Sequence, residues 1–371
     1  IASGAIILIP TFLWSVGYIT AIDSVTYKLV WWGMGHSSQQ INVAAHVSVW
    51  YTIAALTLGA KPLSEKVSRM AFLLYILFLQ LASAHHLLVE PGISSEWKVF
   101  NTSYAFYLAV LGSMIHGMSV PGAIEAAQRR RGFNQGMFEW LRKAPWGNPA
   151  FSGMALSVVM FGFFGGISGV VLGAEQINLI MHNTIYVPGH FHATVVLGTT
   201  LAFMAVTYLV IPLIFRREIR FKTMAKWQPY VFSIGVAGIS LFMMGAGTLG
   251  VSRRHWDMTF SDAALSFDYP PAAFLMMGLN GIFAILATIG GIMYVVVTVA
   301  SVFGGKARDE AACKANPCVL QDGGGAAVSS YGGEGTLKLP GTVMLVTIFF
   351  VCFVLYFFVN WKYLSEVWPL S

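Results

Sequence analysis

The stretch IYVPGHFHATVVLGTTLAFMAVTYLVIPLIF, residues 185–215, contains no Asp, Glu, Lys or Arg and ends at Arg216 and Arg217. A helix needs about 20 consecutive apolar residues to cross a bilayer, because lipid offers the backbone N–H and C=O groups no partner outside the segment itself. This run is long enough, yet it holds two imidazoles, His190 and His192, which are costly in lipid without a partner.

Working outward, runs of the same kind recur along nearly the whole chain. Nine membrane segments are expected, at about 1–22, 29–59, 68–89, 99–127, 150–173, 178–215, 228–251, 271–304 and 338–361. The chain of 371 residues is 56% hydrophobic and 10% charged, well below the roughly 25% charge of soluble domains. The fold class expected is therefore all-α: a single polytopic transmembrane helical bundle over 1–371, interrupted by a Gly-rich cytoplasmic loop at 304–335. Membrane lipid is its first partner. No internal repeat is visible, which speaks against a transporter built from duplicated halves. The chain opens on Ile1 inside an apolar stretch, so it is read as beginning partway through a longer protein whose N-terminal helices are missing here.

The net charge of +6 does not signal nucleic acid, since the basic residues lie between apolar runs. Loops after the second, fourth, sixth and eighth segments hold 17 of the 22 Lys and Arg, which places that side in the cytoplasm. Cys313, Cys318 and Cys352 show no metal-binding spacing, although a Cys313–Cys318 loop disulfide stays open.

Under this topology His36, His85, His86, His190 and His192 lie at one depth, toward the outer side. At 100° per residue His190 and His192 point about 200° apart, so they suit two centres on opposite flanks of one helix. His85 and His86 are about 100° apart, so an ion beside them takes both imidazoles if His36 gives a third. With no thiolate nearby, an all-imidazole set suits copper or haem iron better than structural zinc. The bland alternative is a set of core histidines bonded to backbone carbonyls, and lone His46 and His116 are assigned to it.

At these residues the chain resembles subunit I of the haem-copper oxidases, particularly the B-family branch. The resemblance rests on WWGMGH at 31–36, AHHLLVEPG at 84–92, APWGNPAF at 144–151, HNTIYVPGHFH at 182–192 and SRR at 252–254, in one collinear order. It implies that His36, His85 and His86 bind the copper called CuB, that His190 is the proximal ligand of a high-spin haem, and that His192 is an axial ligand of a low-spin haem. It implies haem propionates near His182, Asn183, Arg253 and Arg254, for which a guanidinium fork is suited. The other low-spin haem ligand is expected from upstream helices, electrons from a subunit II-like CuA or cytochrome c donor, and residence in a prokaryotic inner (cytoplasmic) membrane.

The chain also departs from the oxidase pattern. Oxygen-reducing members carry a Tyr four residues after the first copper ligand, where this chain has Gln40 as the candidate catalytic residue. The alternative location holds Leu79, and Tyr75 is read as too far along the helix. Tyr51 keeps one proton-path position, while Val47 and Ile115 stand where hydroxyls are expected; Ser113 and His116 are candidates for another route. Glu90 and Glu125 are read as proton carriers or as interfacial charges. An amide cannot supply the phenolic proton and electron that O2 cleavage needs, so the expected reaction is reduction of NO to N2O, with O2 reduction to water as the alternative. A dihaem cytochrome without copper and a transporter with histidines in its pathway are the rival classes.

Overall fold

The computed structural model describes residues 2–79, 85–255, 257–262, 264, 267–309 and 338–367. Cys313, Cys318 and most of the expected 304–335 loop lie outside them. The helices are α1 (Ala2–Ser15), α2 (Ser24–Leu58), α3 (Glu65–Leu74), α4 (Ser95–Val99), α5 (Phe106–Arg130), α6 (Glu139–Arg142), α7 (Pro149–Met160), α8 (Ile167–Gly173), α9 (Glu175–Met181), α10 (Tyr186–Phe191), α11 (Leu201–Leu213), α12 (Lys222–Thr248), α13 (Pro271–Gly304) and α14 (Pro340–Val367). Wider π turns at Tyr75–Leu79, Phe100–Ala105, Phe161–Gly166 and His192–Thr200 extend or join several of them. No strand is present among the described residues, and the chain is an all-α integral membrane protein.

Local chemistry sets where the long helices begin and end. Asp23 accepts hydrogen bonds from the N–H groups of Val25 and Thr26, capping α2, and Gly59 ends it with φ 64°, a conformation that favours glycine. Asn148 caps α7 through its side chain, and Pro149 at the first helical position lacks only an N–H that would go unpaired anyway. Five described helices are long and apolar enough to cross a membrane: Ser24–Leu58, Pro149–Gly173, Tyr186–Leu213, Lys222–Thr248 and Pro271–Gly304.

The sixth expected segment starts later than its sequence suggests. The helix before it ends at Met181, His182 is extended, and Asn183 has φ 62°, so the membrane helix begins at Tyr186 rather than at 178. Apolar residues run through the break, which hides it from a hydropathy reading.

Small residues bring helices together where lipid supplies no hydrophobic drive between them. A Cβ on Gly290 of α13 would lie 2.6 Å from the Phe232 backbone of α12, so that contact tolerates only glycine. The opposite face of α13 shows Leu275, Ile282, Ile285 and Ile292, each more than half exposed, as a helix facing acyl chains requires. The main core lies between α2, α5, α7 and α11, around fully buried Ile53, Phe151 and Met154.

Candidate metal centre

His36 sits on α2, and His85 and His86 form a short 3₁₀ turn beyond the π turn that follows α3. Ligand nitrogens of the three all lie within 4.8 Å of one another. His36 Nδ1 and His86 Nε2 are 3.3 Å apart, and the His85 ring meets the His36 ring edge-on at 4.4 Å. Three imidazoles converging this closely suit a shared metal ion.

The preceding sequence explains how His86 is fixed. Trp32, one turn before His36, stacks on the His86 ring at 3.8 Å with an interplanar angle of 1°. Gly35 makes room for that indole, because a Cβ there would come 2.8 Å from Trp32 Cε3. The WWGMGH stretch thus supplies one imidazole of the cluster, a plate that orients a second, and the space the plate needs. Asn178 of α9 donates to the His85 carbonyl at 3.4 Å and to the Leu172 carbonyl at 2.8 Å, tying the 85–86 turn to α8.

His190 and His192 take separate surroundings, as their expected orientations require. Ser168 Oγ lies 2.9 Å from His190 Nδ1, and Gly169 lets the ring pass, since a Cβ there would be 2.9 Å from His190 Cε1. His192 Nδ1 donates to the Pro188 carbonyl at 2.8 Å, which sets its tautomer and leaves the Nε2 lone pair for a metal. The wide turn that opens at His192 is the kind of π distortion that clusters at functional sites.

His36, Gln40, His85, Ser113 and His190 line one cavity. A second, smaller cavity is lined by Trp32, His85, His86, His182, His190 and Arg253. His85 and His190 face both. The donor set is entirely imidazole, the cavity reaches from the three-histidine cluster to His190, and both α10–π histidines have an outer-shell bond that orients the ring. Copper and haem iron fit these residues.

The residues expected near haem propionates are only partly gathered. Ile185 N donates to Val251 O at 2.8 Å and Arg253 N to Asn183 O at 3.0 Å, a two-bond clasp between the HNT and SRR stretches. Arg253 also donates to Asn183 Oδ1 at 2.7 Å and turns into the smaller cavity. Arg254, with φ 64°, is exposed and lines neither cavity. His182 lies 2.9 Å from Glu90, which also pairs with Lys28. Burial works to raise the Glu90 carboxyl, but the hydrogen bonds from Lys28 and His182 outweigh it and hold it below the usual carboxylate range. Desolvation keeps His182 below the usual imidazole value, partly offset by Glu90.

Four further residues are placed by the structure. His46 and His116 were assigned to backbone carbonyls, but their Nδ1 atoms meet hydroxyls: Thr199 at 3.0 Å and Tyr51 at 3.1 Å. Glu125 is fully buried and structural in its contacts, accepting from Arg129 at 2.8 Å and from the N–H groups of Gly341 and Thr342 at the start of α14. Tyr75 is buried, and its hydroxyl lies 3.0 Å from Ser113 Oγ. Ser68 and Ser119, which sequence reading passed over, extend the Tyr51 contacts. Their only sequence signal is a serine in an apolar run, which is common enough to be uninformative. The side chain of Leu79 lies outside the described residues.

The chain is similar to known proteins over most of its length. Residues 1–293 match the family model for cytochrome c and quinol oxidase polypeptide I. The chain is 30% identical over 296 residues to cytochrome c oxidase subunit 1 of Thermus thermophilus, covering 78% of this chain and 49% of that protein. It is 30% identical over 172 residues to a probable quinol oxidase subunit 1 of Staphylococcus aureus, covering 45% and 24%. The chain therefore spans about half the length, or less, of these curated relatives. A haem-copper terminal oxidase dimer solved by cryo-electron microscopy shares the fold with a TM-score of 0.74 at 23% identity, over 97% of this chain and 62% of that one. With the family model covering most of its length, the chain belongs to the cytochrome c and quinol oxidase polypeptide I family.

Proposed function

We propose that this chain is the catalytic part of a respiratory haem-copper reductase that reduces NO to N2O. His36, His85 and His86 would hold CuB, His190 the high-spin haem iron and His192 the low-spin haem iron. Once bound, these groups supply electron transfer and a place for the gas to bind. His182, Asn183 and Arg253 would meet haem propionates, and exposed Arg254 would reach them only from the rim. The electron donor is a CuA- or cytochrome c-bearing partner. The basic loops face the cytoplasm and the metal sites the outer side.

One observation carries the choice of gas. Where oxygen-reducing relatives resembling this chain hold a Tyr, the structure has Gln40, whose amide nitrogen lies 3.1 Å from His36 Nε2. A carboxamide donates and accepts hydrogen bonds but yields no electron. Converting two NO to N2O and water takes two electrons and two protons, a demand that does not call on a phenol. Gln40 instead orients His36 and presents an amide to the cavity. Protons would pass along Tyr51, His116 and Ser113, with Ser113 on the cavity wall.

The names of the curated relatives favour a second reading, reduction of O2 to water. Parallel NO and O2 electrode assays on the purified enzyme with its partner subunits decide between them. NO consumption with N2O release and slow O2 uptake is the expected result. Rapid O2 uptake to water, with little NO turnover, would overturn the choice.

A further inference from the structure

The proposed proton path has a break that its three residues do not close. Tyr51 Oη is 3.1 Å from His116 Nδ1, and on its other side reaches Ser68 Oγ at 3.2 Å, which meets Ser119 Oγ at 3.3 Å. Beyond His116 the next cavity-lining hydroxyl is Ser113, three residues back on α5. Between them lies Tyr75, on the π turn that follows α3. Its ring packs against the His116 imidazole at 5.6 Å, and its hydroxyl is 3.0 Å from Ser113 Oγ. His116 Nε2 is buried and makes no hydrogen bond among the described residues, so it remains available for a further step. Glycine at 112 permits this arrangement, because a Cβ there would sit 3.1 Å from Tyr75 Cε1.

We propose that Tyr75 is the last phenol of a proton route into the metal cavity, taking protons from His116 and passing them through Ser113 to the space beside Gln40 and His36. The proposal rests on the functional reading above and supplies its missing link. Each group takes one proton and releases another: Ser68 to Tyr51, Tyr51 to His116, His116 to Tyr75, Tyr75 to Ser113, Ser113 to the cavity. No charge or electron is left behind. Packed rings rather than a hydrogen bond separate His116 from Tyr75, so side-chain rotation must complete that hop, and it is the slow one. The role of Tyr75 is proton delivery.

The test uses the full enzyme with its partner subunits and follows proton uptake with a pH-indicator dye after rapid photoreduction, without any gas. Tyr75→Phe removes one oxygen atom and keeps the ring. It is expected to slow proton uptake by about 100-fold, the scale of losing one positioned acid-base group, while haem and copper content stay at wild-type levels. Ser113→Ala is expected to give the same slowing, and the double variant no more than either single one. Tyr208→Phe is the control: its buried hydroxyl donates to Gln228 at 3.0 Å, away from the route, and its loss should leave uptake unchanged. Wild-type uptake in both Tyr75→Phe and Ser113→Ala overturns the relay, as does absence of proton uptake in the wild type. Gas turnover is measured separately. Slowed uptake in the variants, in an enzyme that reduces neither NO nor O2, would sink the functional reading and leave the relay standing.

Discussion

Gln40 lies one helical turn beyond His36 on α2, and its amide nitrogen is 3.1 Å from the His36 Nε2. The other ring nitrogen, Nδ1, is the one turned toward His86. As placed, the amide N–H donates to Nε2; a metal held at Nδ1 requires Nε2 to carry the proton, and the amide must then turn over so that its oxygen accepts from it. Gln40 would therefore support His36 as a proposed copper ligand, besides forming a wall of the cavity.

Gln40→Leu keeps the bulk and removes that hydrogen bond. Losing an outer-shell partner of a ligating histidine typically costs about 10- to 100-fold in metal affinity. Copper retention after dialysis against graded chelator should fall by that factor, with haem content unchanged; unchanged retention would show that the amide does not support His36.

Gly169→Ala places a methyl group 2.9 Å from His190 Cε1, against a ring already held by Ser168. Overpacking of this kind costs about 1–3 kcal/mol and here falls on one proposed haem ligand. The variant should lose CO binding to the high-spin haem while the low-spin spectrum from the His192 side persists. Intact CO difference spectra would contradict the placement.

Glu125→Ala removes the buried carboxylate to which Arg129 and the first N–H groups of α14 donate, leaving Arg129, among the described residues, only the Gly136 and Met137 carbonyls. Breaking a buried charge pair costs about 3–5 kcal/mol, so the thermal unfolding midpoint in detergent should drop clearly. If instead stability holds and only proton uptake slows, Glu125 is a proton carrier, as one sequence reading had it.

The Lys28–Glu90–His182 cluster predicts acid lability. Folding holds the Glu90 carboxyl below its ordinary value of 4.5, so its contribution is complete above that pH and fades as pH falls through the lower folded value. His182 acts in the same direction: its folded value lies below 6.5, so the unfolded chain gains protons first as pH drops from there. Melting temperature should therefore decline below about pH 6.5 and again below about 4.5. Glu90→Gln should flatten the second decline; an unchanged profile would remove the cluster from the account.

Much of this site was legible because histidines are conspicuous in apolar sequence. The HxH and HH pairs, their common depth and the neighbouring Trp–Gly pattern are local signals, and the structure gathers His36, His85 and His86 as the sequence suggested. Tyr75 stays off the wall of the metal cavity, in keeping with its place too far along the helix to replace the oxidase phenol. Its hydroxyl instead crosses to α5, and no single-helix spacing encodes that contact. The break at His182–Ile185 was hidden because Asn183, not a glycine or proline, takes the left-handed conformation. The clasp between Asn183 and Arg253 joins residues 70 apart and could only be seen once the chain was folded.

Copper edge X-ray absorption on the purified full-length enzyme, read with haem and copper content, bears most directly on the three-histidine centre. The expected result is one copper for every two haems beyond those the donor partner carries, with scattering from three imidazoles that drops to two in His36→Ala. Stoichiometric haem without copper, or copper whose imidazole count ignores His36, would contradict it.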